Sequence, residues 1–279
     1  MSDAAEIDAA VVAAAPETTR SRIDLTPLLR VVVPALLLAG WWLATASHPD
    51  GLIPSPRDVG IAMWDLAFGG INDDAFSQML LKDLIASASR VYGAFVLAAA
   101  LALPLGMLIG RLRLVREMLD PTLQVLRPVP VTAWLPLSMI MFGIGPASAF
   151  FLVALGSFYP ILINTIFAVR SVEPRLFEAA QMLGVSPARL FPKVVLPASL
   201  PGIFTGLRLG LGFAWVVIVV GEMTGVQTGL GAMIMDARQL SRTEIVICGM
   251  AIIGVAGFLS DYAVVILGRR LLAWSPTHV

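Results

Sequence analysis

Lysine and histidine are almost missing from this sequence, with two of each among 279 residues. The lysines are Lys82 and Lys193, and neither follows a glycine, so the chain contains no GxxxxGK[ST] phosphate loop. The histidines, His48 and His278, fall in different segments and leave no metal or nucleophile constellation of the kind a membrane enzyme needs. The single cysteine, Cys248, permits no internal disulfide; inside an apolar run it reads as a small buried hydrophobe. Charge of either sign is scarce: 14% of residues, against roughly a quarter in soluble proteins. Nineteen basic and nineteen acidic residues balance to zero, which removes the basic surface that nucleic-acid binding requires.

What is present is apolar. Hydrophobic residues make up 58% of the chain and mean hydropathy is +0.86, the composition of an integral membrane protein. A spanning helix takes about 20 mostly apolar residues. Six runs approach that: 28–46, 89–110, about 125–144, 147–169, about 205–223 and 245–268. The third is interrupted in its first half by Arg127, Pro128, Pro130 and Pro136, which suggests a span buried among the others. Residues 1–26 are Ala-rich and acidic without periodicity, as expected of a disordered tail. Ala44-Thr45-Ala46 imitates a signal-peptidase site, but the acidic tail and Trp41-Trp42 favour an uncleaved anchor.

Arginine and lysine set the expected orientation. Twelve of the nineteen basic residues fall in the tail, the connections between spans 2 and 3 and between spans 4 and 5, and the C-terminus. That side is expected to be the cytoplasm, with both termini there. The opposite side receives 47–88 and 224–244. In the first, Ile53-Pro54-Ser55-Pro56 enters a short amphipathic helix that Gly69-Gly70 breaks. In the second, Gly229-Leu230-Gly231 opens a helix too short to span, a lip or re-entrant piece.

The loop 171–206 is the most structured connection. Pro174 suits a first helical position and Gly184 a C′ residue, which brackets a helix over 175–183. Ser186-Pro187 then caps a second helix reaching about Val195, ended by Leu196-Pro197 and Pro201-Gly202, with the next span beginning at Leu207. On the first helix Leu176, Ala179, Ala180 and Leu183 share a face by spacing, with Glu178 as an acidic anchor beside them.

Glu178-Ala179-Ala180, three residues, Gly184, nine residues and Val194-x-Leu196-Pro197 resemble the "EAA" loop of permeases from bacterial ATP-binding-cassette importers. Val194 stands where that pattern prefers isoleucine. Leu126-Arg127-Pro128-Val129-Pro130, Phe142-Gly143-Ile144-Gly145, Pro160–Thr165, Gly206-Leu207-Arg208, Gly221-Glu222-Met223 and Gly229-Leu230-Gly231 look like its nitrate, sulfonate, taurine and bicarbonate branch. The resemblance implies an all-α type I importer permease fold: a polytopic membrane protein of the inner membrane, with six transmembrane helices and a cytoplasmic coupling-helix loop. The resemblance extends over about 50–270; with the composition of the ends, the expected division is a disordered cytoplasmic tail at 1–26, a permease domain at 27–272 with the coupling loop at 171–206, and a C-terminal tail at 273–279. The partners it implies are two copies of an ATPase subunit that bind ATP and Mg, a second copy of this permease and a periplasmic binding protein. The permease itself needs no cofactor. The missing phosphate loop agrees: ATP hydrolysis belongs to another chain.

Polar groups at membrane depth are functional candidates by default. Glu222 either lines an outer gate or sits at the interface. Asp261 either pairs with an arginine or takes part in transport. Arg127 and Arg208 either snorkel to headgroups or form an electropositive exit for an anion. Trp134, Met139, Met141 and Phe142 with Trp215 are candidates for an apolar gate, or are packing. Ser157 and Asn164 share one face of span 4, as interhelical hydrogen bonds or pathway lining. The branch points to a small oxyanion of sulfonate or taurine type, with a vitamin precursor as the alternative. A secondary transporter would need inverted repeats that the sequence lacks, and would leave the 171–206 loop without a purpose.

Overall fold

The computed structural model describes residues 26–46, 53–72, 74–272 and 274. All but Thr26 of the expected N-terminal tail, and all but Trp274 of the C-terminal one, lie outside them. Contacts divide the chain into residues 1–49 and 50–279. The first unit holds α1 (Thr26–Ala46), with Pro34 inside it; its stretch Val32–Ala46 is apolar but short of a full crossing.

The second unit begins with α2 (Pro56–Phe68), started where the sequence suggested. Ser55 and Asp58 form a capping box, the Ser55 hydroxyl accepting from the Asp58 N–H at 3.2 Å and the Ser55 N–H donating to Asp58 at 3.1 Å. Gly69, at φ +73°, ends it. Asp65, buried on the inner face, accepts from the N–H groups of Ile71 and Asn72 and from the Ser77 hydroxyl at 2.7 Å. That hydroxyl, and then the two amides, hold the Asp65 carboxyl below the usual range.

Among the described residues, four helices are long and apolar enough to cross a membrane: α3 (Leu80–Arg111), α6 (Pro146–Arg170), α9 (Leu196–Glu222, continuing a helical turn from Phe191) and α11 (Thr243–Leu271). The expected third span is not one helix. It is α4 (Arg113–Leu126), then a 3₁₀ turn at Val131–Trp134 running into α5 (Leu135–Phe142), the two parts bent by 88°. Pro128 and Pro130 cause the break, since neither supplies a backbone N–H and Pro130 is extended (ψ 138°). Residues 131–142 cover about 18 Å at 1.5 Å per residue, short of the roughly 30 Å hydrocarbon core. Counting the broken pair as one crossing gives five candidate spans among the described residues rather than six.

A second expectation also fails. The second helix of the 171–206 loop, α8 (Pro187–Leu190), passes through a π-helical turn at Phe191–Val195 into α9 without a non-helical residue. Pro197 and Pro201 lie inside the resulting helix instead of ending it. The wider turn, with the Leu196 N–H reaching the Phe191 carbonyl, makes room for the Pro197 ring, which faces the Lys193 carbonyl; Pro201 lies beyond it, in the α-helical part.

The bundle is organised around α6, which packs along α3 on one side and α9 on the other. Half of the apolar window of α6 and of α9 is buried, against 11% for α11 on the periphery. Glycine permits the close approach. A Cβ at Gly206 would lie 2.8 Å from the Asn164 Cβ, one at Gly210 2.7 Å from Ile161, and one at Gly106 of α3 2.8 Å from Thr165.

Gly210→Val should therefore overpack the α6–α9 seam and cost about 1–3 kcal/mol, visible as a lower melting temperature of the purified protein. Gly212→Ala, with nothing within 4 Å of its new Cβ, should melt at or above wild type. Equal melting of both variants would mean that the seam is looser than these distances.

Candidate functional site

At one end of the bundle the chain builds a knob. It opens with α7 (Pro174–Met182), with Glu173 extended at the N-cap and Pro174 in the first turn. Gly184 takes φ +75°; its N–H donates to the Gln181 carbonyl at 2.9 Å, and the Val185 N–H reaches Ala180 at 3.0 Å. That paired closure is a Schellman motif with Gly184 at C′, as the spacing predicted. The Ser186 backbone sits where the expected cap should be, but its side chain makes no capping bond.

The face offered to solvent differs from the one read from spacing. Ala180 is buried beneath the knob, so it leaves the set. Leu176 and Ala179 are exposed with Glu178, and Leu183 joins Met182 at the tip, the pair 84% and 87% exposed. Met182, three residues after Ala179, lies at the edge of the face read from spacing, to one side of the Leu176–Leu183 line, and was not among the candidates.

The gate candidates do not converge within one chain. Trp215 is buried; its indole N–H donates to the Ser260 hydroxyl at 3.0 Å, and Tyr92 meets it edge-on at 6.3 Å. Trp134 packs against the same core. Met139 is half-buried, and Met141 and Phe142 lie on the exposed side of α5, Phe142 touching Phe151 at 5.1 Å between ring centres. Ser157 and Asn164 bond within their own helix, the Ser157 hydroxyl to Val153 and the Asn164 amide to Pro160, so neither links helices. Ser157 is fully buried and lines no surface.

The arginine candidates separate. Arg208 grips Asp261 in a bidentate pair at 2.8 and 3.0 Å, which satisfies the expected partner for Asp261 and cancels the charge that an anion exit needed from Arg208. Arg127 has no ion pair among the described residues. It lines a cavity of about 560 Å³ between α4 and α6, with Asp120, Gln124, Tyr159 and Arg170.

Glu222 lies inside the chain and lines none of its surface. Only 1% exposed, it accepts from the Ser87 hydroxyl at 2.7 Å, Arg90 at 2.5 Å and the Gly231 N–H at 3.0 Å. Arg90 also donates to the Thr228 carbonyl at 2.7 Å. The target is the N-terminus of α10 (Leu230–Gln239): the Gly229 N–H goes to Asp83 at 2.9 Å and the Leu230 N–H to Ser87 at 2.8 Å. Three amides that the helix leaves unpaired are thus met by three side chains. The Gly-Leu-Gly spacing follows. A Cβ on Gly229 would fall 2.5 Å from the Glu222 carboxylate, and one on Gly231 2.7 Å from the Val219 carbonyl. Arg90 was the missed signal, an ionisable group at the edge of an apolar run.

Residues 102–273 match the family model described as "Binding-protein-dependent transport system inner membrane component". The chain is 39% identical over 250 residues to a putative aliphatic sulfonates transport permease protein SsuC of Bacillus subtilis, covering 89% of this chain and 88% of the relative. It is 37% identical over 243 residues to the taurine transport system permease protein TauC of Escherichia coli, covering 86% and 87%. In fold it is similar to a chain of the MetNI methionine ABC transporter in an inward-facing conformation, with TM-score 0.52 and 20% identity over 67% of this chain and 96% of that one.

Removing one partner of a buried charge pair leaves the other unpaired, at a cost of about 3–5 kcal/mol. Arg90→Met should therefore lower the melting temperature sharply. Adding Glu222→Gln to it should restore part of the loss, because the amide still accepts from Ser87 and Gly231 and carries no charge. A double variant no more stable than Arg90→Met would mean that the charge pair is not what holds this end together.

Proposed function

We propose, from the premise that the chain belongs to the binding-protein-dependent transport system inner-membrane component family and is the permease subunit of an ATP-binding-cassette importer, that it carries a small organic anion of the sulfonate type inward. The sulfonate reading draws on the names of the relatives, one an aliphatic sulfonates permease and another a taurine permease. Arg127, which has no ion pair among the described residues and shares its cavity with Arg170 against a single acidic residue, Asp120, supports an electropositive exit for such an anion.

The permease works as a homodimer with two ATPase subunits, and a periplasmic binding protein delivers the substrate. ATP and Mg are bound by the ATPases, and no cofactor is held by this chain. Both termini and the knob are cytoplasmic, as the arginine distribution supports. One observation carries the coupling role: a tight, Schellman-closed knob presenting Met182 and Leu183 almost fully to solvent beside Ala179. Large apolar side chains exposed at the tip of a rigid projection suit a groove on a partner. Glu178 supplies a charge at the rim of that contact.

The groove contact makes specific demands. Gly184 has open space around its Cβ position, so a substitution there acts through the backbone: φ +75° is costly for a β-branched residue. Gly184→Val should misdirect α8, and Ala179→Asp should add a charge to a close contact. Either should abolish uptake and lower ATPase co-purification, while the protein still inserts. Glu178→Ala should be mild, since a rim ion pair contributes at most about 1 kcal/mol. Uptake of labelled taurine or an alkanesulfonate beside co-purification checks both. Normal uptake by Gly184→Val and Ala179→Asp together would remove the coupling role.

Orientation has its own check. In a Cys248→Ala background, a cysteine at Arg189 should react with membrane-impermeant maleimide only after the inner face is opened. Labelling in intact cells would invert the topology.

A further inference from the structure

A second hollow, of about 410 Å³, lies at the base of the knob where α3 and α6 end and α4 begins. Three arginines from three helices line it: Arg111 is the last residue of α3, Arg116 is in the first turn of α4, and Arg170 is the last residue of α6. No acidic residue lines it, and among the described residues none of the three arginines has an ion-pair partner. Arg113, by contrast, points away and pairs with Glu117 at 2.7 Å.

The rest of the wall is apolar. Phe177 comes from the knob's first helix, and Leu190 and Phe191 from its second helix and the π turn. Arg111 already lies over the Phe191 ring, its guanidinium carbon 4.8 Å from the centroid. Arginines that merely follow the positive-inside tendency scatter along a membrane surface. Here three converge on one concavity, repel each other and lack a counter-charge, so the hollow suits an occupant that is anionic at one end and apolar at the other.

We propose that this hollow binds the phosphate headgroup of an anionic phospholipid, drawn from the leaflet in which the knob lies. The guanidinium fork matches phosphate oxygens in pairs, and three of them suit a phosphodiester better than a single carboxylate. The lipid's glycerol and upper acyl carbons lie against Phe191, Leu190 and Phe177. Basic pockets between helix ends on the cytoplasmic side select such headgroups. Because Phe177 belongs to α7, the bound lipid braces the knob from behind, on the side opposite Met182 and Leu183. The inference rests on the cytoplasmic placement of the knob; Arg170 also borders the Arg127 cavity, so Arg111 and Arg116 are the arginines particular to this hollow.

Native mass spectrometry of the permease–ATPase complex, during stepwise delipidation, tests it. Wild type and Arg113→Gln should retain phosphatidylglycerol or cardiolipin, and Arg116→Gln/Arg170→Gln should retain several-fold less. Arg116→Lys/Arg170→Lys, which keeps the charge but loses the fork, should fall between them. If the double glutamine variant does not assemble, Arg116→Gln alone carries the comparison, with reduced retention expected. Retention by the glutamine variants equal to wild type would overturn the proposal. So would release of the lipid by millimolar inorganic phosphate, which would assign the hollow to a free anion. Lipid retention is read without transport, so its loss or persistence is independent of whether the sulfonate reading holds.

Discussion

The buried Glu222 carboxylate fixes one whole end of the bundle. It lies at the last residue of α9, yet its partners come from α3 and from the first turn of α10. Without Arg90 a buried charge would be left without its partner; without the carboxylate, the Gly231 amide of α10 would lose its acceptor, while Gly229 and Leu230 would keep Asp83 and Ser87. A short helix that cannot cross the membrane is thereby tied to two of the long ones. The glycines at 229 and 231 are the steric condition for this arrangement, and the three acceptor side chains on α3 and α9 are its electrostatic condition.

The same logic of close approach runs through the centre. Gly106 on one side of α6 and Gly206 and Gly210 on the other let three helices meet at distances that a single methyl group would violate. In lipid, where apolar side chains gain little by leaving their surroundings, such contact and the hydrogen bonds that accompany it supply most of the association. The Arg208–Asp261 pair, tying α9 to α11, is one of the few polar contributions that reach the periphery.

Much of this was legible along the chain wherever the determinant was local. Ser55-Pro56 and Gly69 bounded α2, and Pro174 and Gly184 bounded α7, because caps and left-handed turns are short-range requirements. Proline was the less dependable sign. At 128 and 130 it broke a run that hydropathy had fused into one span, and at 197 and 201 it broke nothing, because a π turn and the packing of α9 absorbed it. Long-range pairing stayed hidden. Arg90 and Glu222 are 132 positions apart, and Ala180 turned inward only because of what lies beneath α7. The comparison with relatives secures the transport role; of the knob's apolar tip, Leu183 was legible in the spacing and Met182 was added by the fold.

The unbroken passage from α8 through the π turn into α9 has a mechanical meaning. From Pro187 to Glu222 the backbone is one continuous helical rod, about 54 Å long at 1.5 Å per residue. One end of this helix carries the second helix of the knob and the other carries the carboxylate that pins α10. Both are thus parts of a single uninterrupted backbone ladder, and its one widened turn, at Phe191–Val195, is the place where the two can bend apart without breaking it.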